Sequence, residues 1–193
     1  KDGQNAALVT DAGTPAISDP GEDIVRLCVE EHIHVVPIPG AVAAINALIC
    51  SSLPTSRFSF EGFLSVNKKS RIDHLSSVKF SRYTLIFYEA PHKLLNTLRD
   101  MLEYFGDRKI TVARELTKKY EEFLYTTISG AISHFEDVPP KGEFVLVVEG
   151  AKEAKETTVF DNMSVLEHIN YYMQAGLDKK EAMKKVAQDR GVS

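Results

Sequence analysis

The sequence predicts an α/β protein, with two α/β domains and a short helical tail of helix-turn-helix character. Three observations predict it. Short apolar runs, among them Thr84-Leu85-Ile86-Phe87-Tyr88 and Glu143-Phe144-Val145-Leu146-Val147-Val148-Glu149, end at Gly, Pro or charged residues, as strands do. Segments of helical periodicity alternate with them, the arrangement of βαβ units. The last forty residues lack strand patterns and place two helical stretches around Ala175-Gly176-Leu177-Asp178. The expected domains are 1–53, the C-terminal part of a first α/β domain that is incomplete here; 54–150, a second α/β domain; and 151–193, linker and tail.

In chain order, Ala6 to Thr10 reads as a strand that must stop at Asp11-Ala12-Gly13-Thr14-Pro15. Ser18-Asp19-Pro20-Gly21 reads as a helix start, with Asp19 as N-cap and Pro20 at the first helical position. Ile24, Val25, Leu27 and Cys28 share one face of the helix over 22–32, Val35 to Ile38 reads as a short buried strand, and Ala41 to Cys50 as a buried, alanine-rich helix. After the turn-rich 51–56, Phe58 to Phe63 alternates as a strand and Asn67 to Ser77 reads as an exposed helix. Tyr83 to Tyr88 is a strand; Leu94, Leu95, Leu98, Met101, Leu102 and Phe105 form the apolar face of a helix stopped by Gly106. Strands follow at 109–113, 122–128 and 143–149, with a short helix at 129–135, then a charged linker at 152–158 and helices from Val165 and over 179–190.

Composition narrows the class. The chain has 193 residues, 44% hydrophobic and 26% charged, which is ordinary for a globular protein. Its formal net charge of −4 gives no global basic footprint for nucleic acid, so any RNA contact rests on local patches. No apolar run approaches the ~20 residues that span a bilayer. Cys28 and Cys50 fall in helical apolar patterns and read as buried free thiols, suited to the cytoplasm. No His/Cys cluster has metal-ligand spacing. The chain also opens in mid-phrase, on a strand without an earlier neighbour, so it is expected to be a fragment lacking an N-terminal part.

The stretch Val9 to Gly21, VTDAGTPAISDPG, carries the functional signal. A polar, glycine-bearing loop at the C-terminal end of a buried strand is where open α/β sheets bind small molecules. With VVPIPGAVAAINAL, FSFEGF, LIFYEAPHKL, VARELTKKYEE and KGEFVLVVEG it forms an ordered set of six motifs over Ala6 to Gly150. That set resembles the tetrapyrrole methylase superfamily, and within it the branch that methylates a cytidine of 16S ribosomal RNA on its 2′-oxygen. The beginning departs from the family, which opens with a glycine- and proline-bearing first strand loop that is absent here. Gly13-Thr14-Pro15 also stands where the wider family has Gly-Asp-Pro.

The resemblance implies two α/β domains of the tetrapyrrole methylase type, S-adenosyl-L-methionine as cofactor in the cleft between them, a homodimer, and the ribosomal RNA or 30S subunit as partner. It implies neither metal nor membrane. By motif it assigns cofactor binding to Gly13, Thr14, Ile17, Val42, Ala43, Tyr88, Glu89, Glu143, Phe144 and Val145. A 2′-hydroxyl needs in-line placement and help in losing its proton. Glu89 and Glu115 are the candidate bases, Arg114, Lys118 and Lys141 the candidate holders of phosphate or developing alkoxide, and Asp11 faces a possible substrate.

Plainer readings stand beside these. Asp11 and Asp19 can cap a loop and a helix, Arg114 and Glu115 can be a structural ion pair, and Glu89 can serve the helix start at Ala90-Pro91. Lys68, Lys69 and Arg71, like Lys179, Lys180, Lys184 and Lys185, can be solvated helix faces, and Phe58, Phe60 and Phe63 can be core. Two other functions remain open: methylation of a tetrapyrrole precursor, and an inactive fragment that serves in dimerisation or RNA docking. With part of the cleft absent, the isolated chain is expected to bind the cofactor weakly or not at all.

Overall fold

The computed structural model describes residues 3–152 and 163–190. The chain divides into two compact units, Lys1–Lys152 and Glu153–Ser193. The first unit is built on a five-stranded sheet in the order β1-β2-β5-β3-β4, from β1 (Phe58–Phe63), β2 (Thr84–Glu89), β3 (Lys109–Arg114), β4 (Glu122–Thr127) and β5 (Phe144–Val148). β1 and β2 are parallel, and every other pairing is antiparallel. The central strands β2 and β5 are apolar nearly throughout because both of their faces are covered.

One face packs α3 (Lys68–Val78), α4 (Pro91–Phe105) and α5 (Ile128–Asp137) over Leu85, Phe87, Val112, Phe144, Leu146 and Val148. Each helix has a local cause. Asn67 caps α3 by accepting the Ser70 amide at 3.1 Å, Pro91 opens α4, where its missing N–H is no loss, and Gly106 at φ 74° ends it. Thr127 caps α5 through the Gly130 amide. The other face carries α2 (Ala43–Ile49), whose Ala44, Ala47 and Leu48 pack on Ile86, Ala113, Val145 and Val147. Alanines let this helix lie close to the sheet.

The first forty residues differ from expectation. The segments 6–10 and 35–38 form no strands and are largely exposed. A strand exists only through a paired ladder, and the described residues offer these segments no neighbour. α1 (Glu22–Glu30) forms, but none of its residues is buried. Its N-cap is Gly21 at φ 148°, not Asp19, and Pro20 therefore precedes the helix instead of opening it. The thiols also differ: both are free, but Cys28 is half-buried and Cys50 exposed. On α2, Ile45 and Ile49 stay exposed, so that helix is buried on one side only.

In the second unit, α6 (Val165–Gln174) starts at a capping box in which Ser164 and Glu167 satisfy each other's backbone amides. Gly176 at φ 99° makes the turn, and Asp178 accepts the Glu181 amide at 2.8 Å to start α7 (Lys179–Asp189). The periodicity over 179–190 puts Ala182, Met183, Val186 and Ala187 on one face; Ala182 and Val186 are buried and Ala187 is half-buried, while Met183 stays exposed. Most of the charged linker expected at 152–158 lies outside the described residues.

Candidate functional site

The sheet register creates the site. Tyr88 of β2 lies opposite Val145 of β5, which lies opposite Ala113 of β3. Strand alternation turns this row toward α2 and the next row, Glu89, Phe144 and Arg114, the other way. The Tyr88 hydroxyl accepts the amide of Ala44 at 3.1 Å, which fixes the start of α2 to the end of β2. Burial pushes the Tyr88 phenol above its ordinary pKa; the Ala44 amide opposes this, and the charge of Asp19 adds to it.

The loop after residue 10 closes on the same place. Thr14 Oγ1 donates to the Ala41 carbonyl at 3.3 Å. Gly13 sits at φ 78°, where a side chain is strained, and a Cβ there would stand 3.2 Å from the Ala41 oxygen. Ser18 Oγ lies 3.9 Å from where a Cβ on Gly62 would be, which brings the loop to the end of β1. So Gly13, Thr14, Val42, Ala43, Tyr88 and Val145 converge on one side of the sheet. Ile17 is exposed and Asp11, also exposed, has no ion pair among the described residues.

Glu89 is turned away from that cluster. Its side chain is 1% exposed; Oε1 accepts Lys93 Nζ and the Ala90 amide, each at 2.8 Å, and Oε2 accepts the Thr97 hydroxyl at 2.6 Å. Phe144 on the same face is core. In their side chains, then, Glu89 and Phe144 face away from Tyr88 and Val145.

The remaining candidates form a second cluster at the ends of β3 and β5. Glu115, at φ 49°, accepts the Glu143 amide at 2.9 Å and Lys118 Nζ at 3.2 Å. These donors hold its carboxyl below the ordinary carboxylate range, the backbone amide most strongly. Lys118 also bonds Glu143 at 2.9 Å, and the two carboxylates raise its ammonium above the usual lysine value. Arg114 donates to the Lys141 carbonyl at 2.7 Å and pairs with Glu122 at 3.2 Å, so Arg114 and Glu115 each have a partner other than one another. An open depression is lined by Arg114, Glu115, Tyr120, Lys141 and Gly142. Lys141 is exposed and makes no ion pair among the described residues.

Sequence reasoning missed Lys93 and Thr97, whose spacing of four and eight residues from Glu89 was the available signal. It also missed Gly142, where φ is 86° and a Cβ would stand 2.5 Å from Glu115 Cγ; a lone glycine in a Pro-Pro-Lys-Gly turn says nothing about what crosses it. Among the described residues no group of three or more His, Cys, Asp or Glu side chains is placed to hold a metal.

A mixed sheet whose strand ends meet glycine-bearing loops, with small residues and one half-buried phenol converging there, has the arrangement in which α/β folds place small-molecule sites. The chain belongs to the Tetrapyrrole (Corrin/Porphyrin) Methylases family, whose model matches residues 1–132. Among its relatives, a protein named ribosomal RNA small subunit methyltransferase I from Halalkalibacterium halodurans is 49% identical over 99% of this chain and 67% of its own length. The protein of that name from Bacillus subtilis is 47% identical over 100% of this chain and 67% of its own. The chain thus spans about two thirds of the length of these relatives. The crystal structure of the methyltransferase CobJ shares the fold, with a TM-score of 0.55 at 19% identity over 72% of this chain and 62% of the other.

Proposed function

We propose that this chain supplies the greater part of a methyltransferase that moves the methyl group of S-adenosyl-L-methionine to the 2′-hydroxyl of a cytidine in small-subunit ribosomal RNA, acting in the cytoplasm as a homodimer. The observation that carries the reading is close similarity, over nearly the whole chain, to relatives named for small-subunit ribosomal RNA methylation. It also favours RNA over a tetrapyrrole precursor, because the likeness to CobJ extends to the fold alone.

The residues present fit the cofactor. The edge at Tyr88 offers close-lying small residues for a flat ring, backbone amides over 11–14 and 40–43 that make no hydrogen bond among the described residues, an aromatic ring, and the nearby negative charge of Asp19. An aromatic face and a carboxylate both complement a sulfonium cation. When bound, S-adenosylmethionine supplies an electrophilic methyl group, which leaves the protein two tasks: placing the acceptor oxygen in line and letting its proton go. Gly13, Thr14, Val42 and Ala43 would hold the cofactor through backbone and small side chains, with Tyr88 and Val145 as the wall.

The geometry gives Glu89 and Glu115 work other than base catalysis. Both Glu89 oxygens are engaged in a buried cluster, so it sets the end of β2 and the start of α4. Glu115 is held in its charged form by donors, and a carboxylate with a depressed pKa is a weak proton acceptor. It orders the 114–121 loop, while Lys141, without an ion pair among the described residues, is available to a phosphate. Positioning therefore supplies most of the catalysis in this reading, and the hydroxyl proton leaves to solvent. The test is transfer of labelled methyl groups to small subunits isolated from a strain lacking the protein. Transfer to the subunits and not to a uroporphyrinogen-type substrate supports the reading; the reverse overturns it.

A further inference from the structure

The aromatic residues of β1 do not all enter the core. Phe60 packs edge-on to Tyr88 at 5.0 Å between ring centroids. Strand alternation would then turn Phe63 to the opposite face. A bulge between Phe60 and Gly62, with Gly62 at φ 65°, shifts the register so that Phe63 lies opposite Tyr88. Its ring meets Tyr88 edge to face at 5.5 Å, has the Lys93 ammonium 5.7 Å from its centroid, and still remains 54% exposed, which leaves part of the ring open to a base.

The corner that follows is held from beneath. Leu64 is buried, and its carbonyl accepts Lys93 Nζ at 3.1 Å, the same ammonium that pairs with Glu89. Arg71, paired with Asp100 at 2.6 Å, donates to the carbonyls of Ser65 and Val66. Two largely buried ion pairs thus fix the backbone of 64–66, while Phe63 and Val66 (77% exposed) are presented to solvent. Lys68 and Lys69 follow in the first turn of α3, exposed and without an ion pair among the described residues. Asp73, the nearest acid along that helix, pairs with neither.

We propose that this β1–α3 corner, Phe63 with Lys68 and Lys69, docks single-stranded RNA: a base stacks on the Phe63 ring and the two ammonium groups meet the adjoining phosphates. An exposed aromatic face beside unpaired cations on a rigid backbone is the chemistry that holds unpaired nucleotides. Because Phe63 touches Tyr88, a base held there lies beside the candidate cofactor edge. The inference rests on the RNA reading above and adds to it the surface that receives the substrate.

The test is fluorescence anisotropy of the protein with a labelled RNA single strand of about 12 nucleotides, over a series of salt concentrations. Phe63→Ala should weaken binding by about tenfold or more, and Phe63→Trp should preserve it. Lys68→Gln with Lys69→Gln, on an exposed helix face that tolerates the change, should weaken binding and flatten the log–log salt slope by about 0.7 for each phosphate no longer neutralised. Affinity for S-adenosylmethionine and the sedimentation coefficient should stay unchanged. RNA affinity that survives both sets of substitutions overturns the inference, as does a wild-type protein that does not bind the strand. An equal loss of cofactor affinity, or a changed oligomeric state, overturns it too, by assigning Phe63 to the cofactor site or to a protein interface. Methyl transfer to small subunits by the wild-type protein is measured alongside. If transfer stands while Phe63→Ala binds RNA normally, only the docking surface falls; if transfer is absent, the RNA reading itself falls.

Discussion

Replacing Glu89 by alanine should destabilise the first unit severely. The side chain is almost fully buried and accepts three donors: Lys93 Nζ, the Ala90 amide and the Thr97 hydroxyl. Breaking a buried pair by removing one partner costs about 3–5 kcal/mol. Lys93 keeps the Leu64 carbonyl and is 18% exposed, so some of its charge can reach water. The low end, about 3 kcal/mol, is therefore expected, and a domain of ordinary stability of about 5–15 kcal/mol would survive it. Equilibrium denaturation followed by circular dichroism gives the value. A cycle with Lys93→Met separates the pair from burial itself. Removing both charges, as Glu89→Gln with Lys93→Met, should recover much of the loss, because a buried pair often breaks even against neutral groups of similar shape. A loss below about 0.5 kcal/mol for Glu89→Ala, the level of an ordinary surface change, would refute the buried-cluster account and make Glu89 a candidate base again.

Other outcomes follow from the same geometry. Tyr88→Phe removes the acceptor of the Ala44 amide; the loss of about 0.5–1.5 kcal/mol should appear as cofactor affinity reduced by up to about tenfold in calorimetry. Gly142→Ala forces a side chain into φ 86° and against Glu115, and should lower stability by about 1–3 kcal/mol in denaturant titration while spoiling the 114–121 loop. The depressed Glu115 carboxyl contributes stability that is present above the ordinary carboxylate range and lost as pH falls through its lowered folded value; Glu115→Gln should flatten that part of the stability–pH curve. The Tyr172 phenol, which donates to Asp189 at 2.6 Å, is pushed up to about 12, and Asp189→Asn should return it toward 10.0 in a spectrophotometric titration.

The sheet and its helices were legible in the sequence because their patterns are local and their partners lie within the chain. YTLIFY and EFVLVVE are apolar because β2 and β5 are covered on both faces, and Pro91, Gly106 and Asn67 mark their helix ends by rules of backbone chemistry. The stretches 6–10 and 35–38 carry equally good strand patterns and formed no strand, since a ladder needs a neighbour and a pattern cannot supply one. The candidate site could be read only as a set of loops and strand ends; the register sets Tyr88 beside Val145, and the Tyr88–Ala44 and Thr14–Ala41 bonds bring the 13–14 and 42–43 segments near them. Motif resemblance passes over strand alternation, which decides the face each side chain takes. Glu89 follows Tyr88 by one residue and therefore points to the other face, into Lys93 and Thr97. The position of Phe63 depended on a one-residue bulge that no apolar pattern announces.

Methylation of small-subunit ribosomal RNA by this protein is tested most directly by mass spectrometry of nucleosides from a defined fragment of that RNA, in cells with and without the protein. One 2′-O-methylcytidine should be lost with the protein and return when purified protein and S-adenosylmethionine are supplied to the undermethylated subunits. Full methylation of that RNA in cells lacking the protein would contradict the assignment.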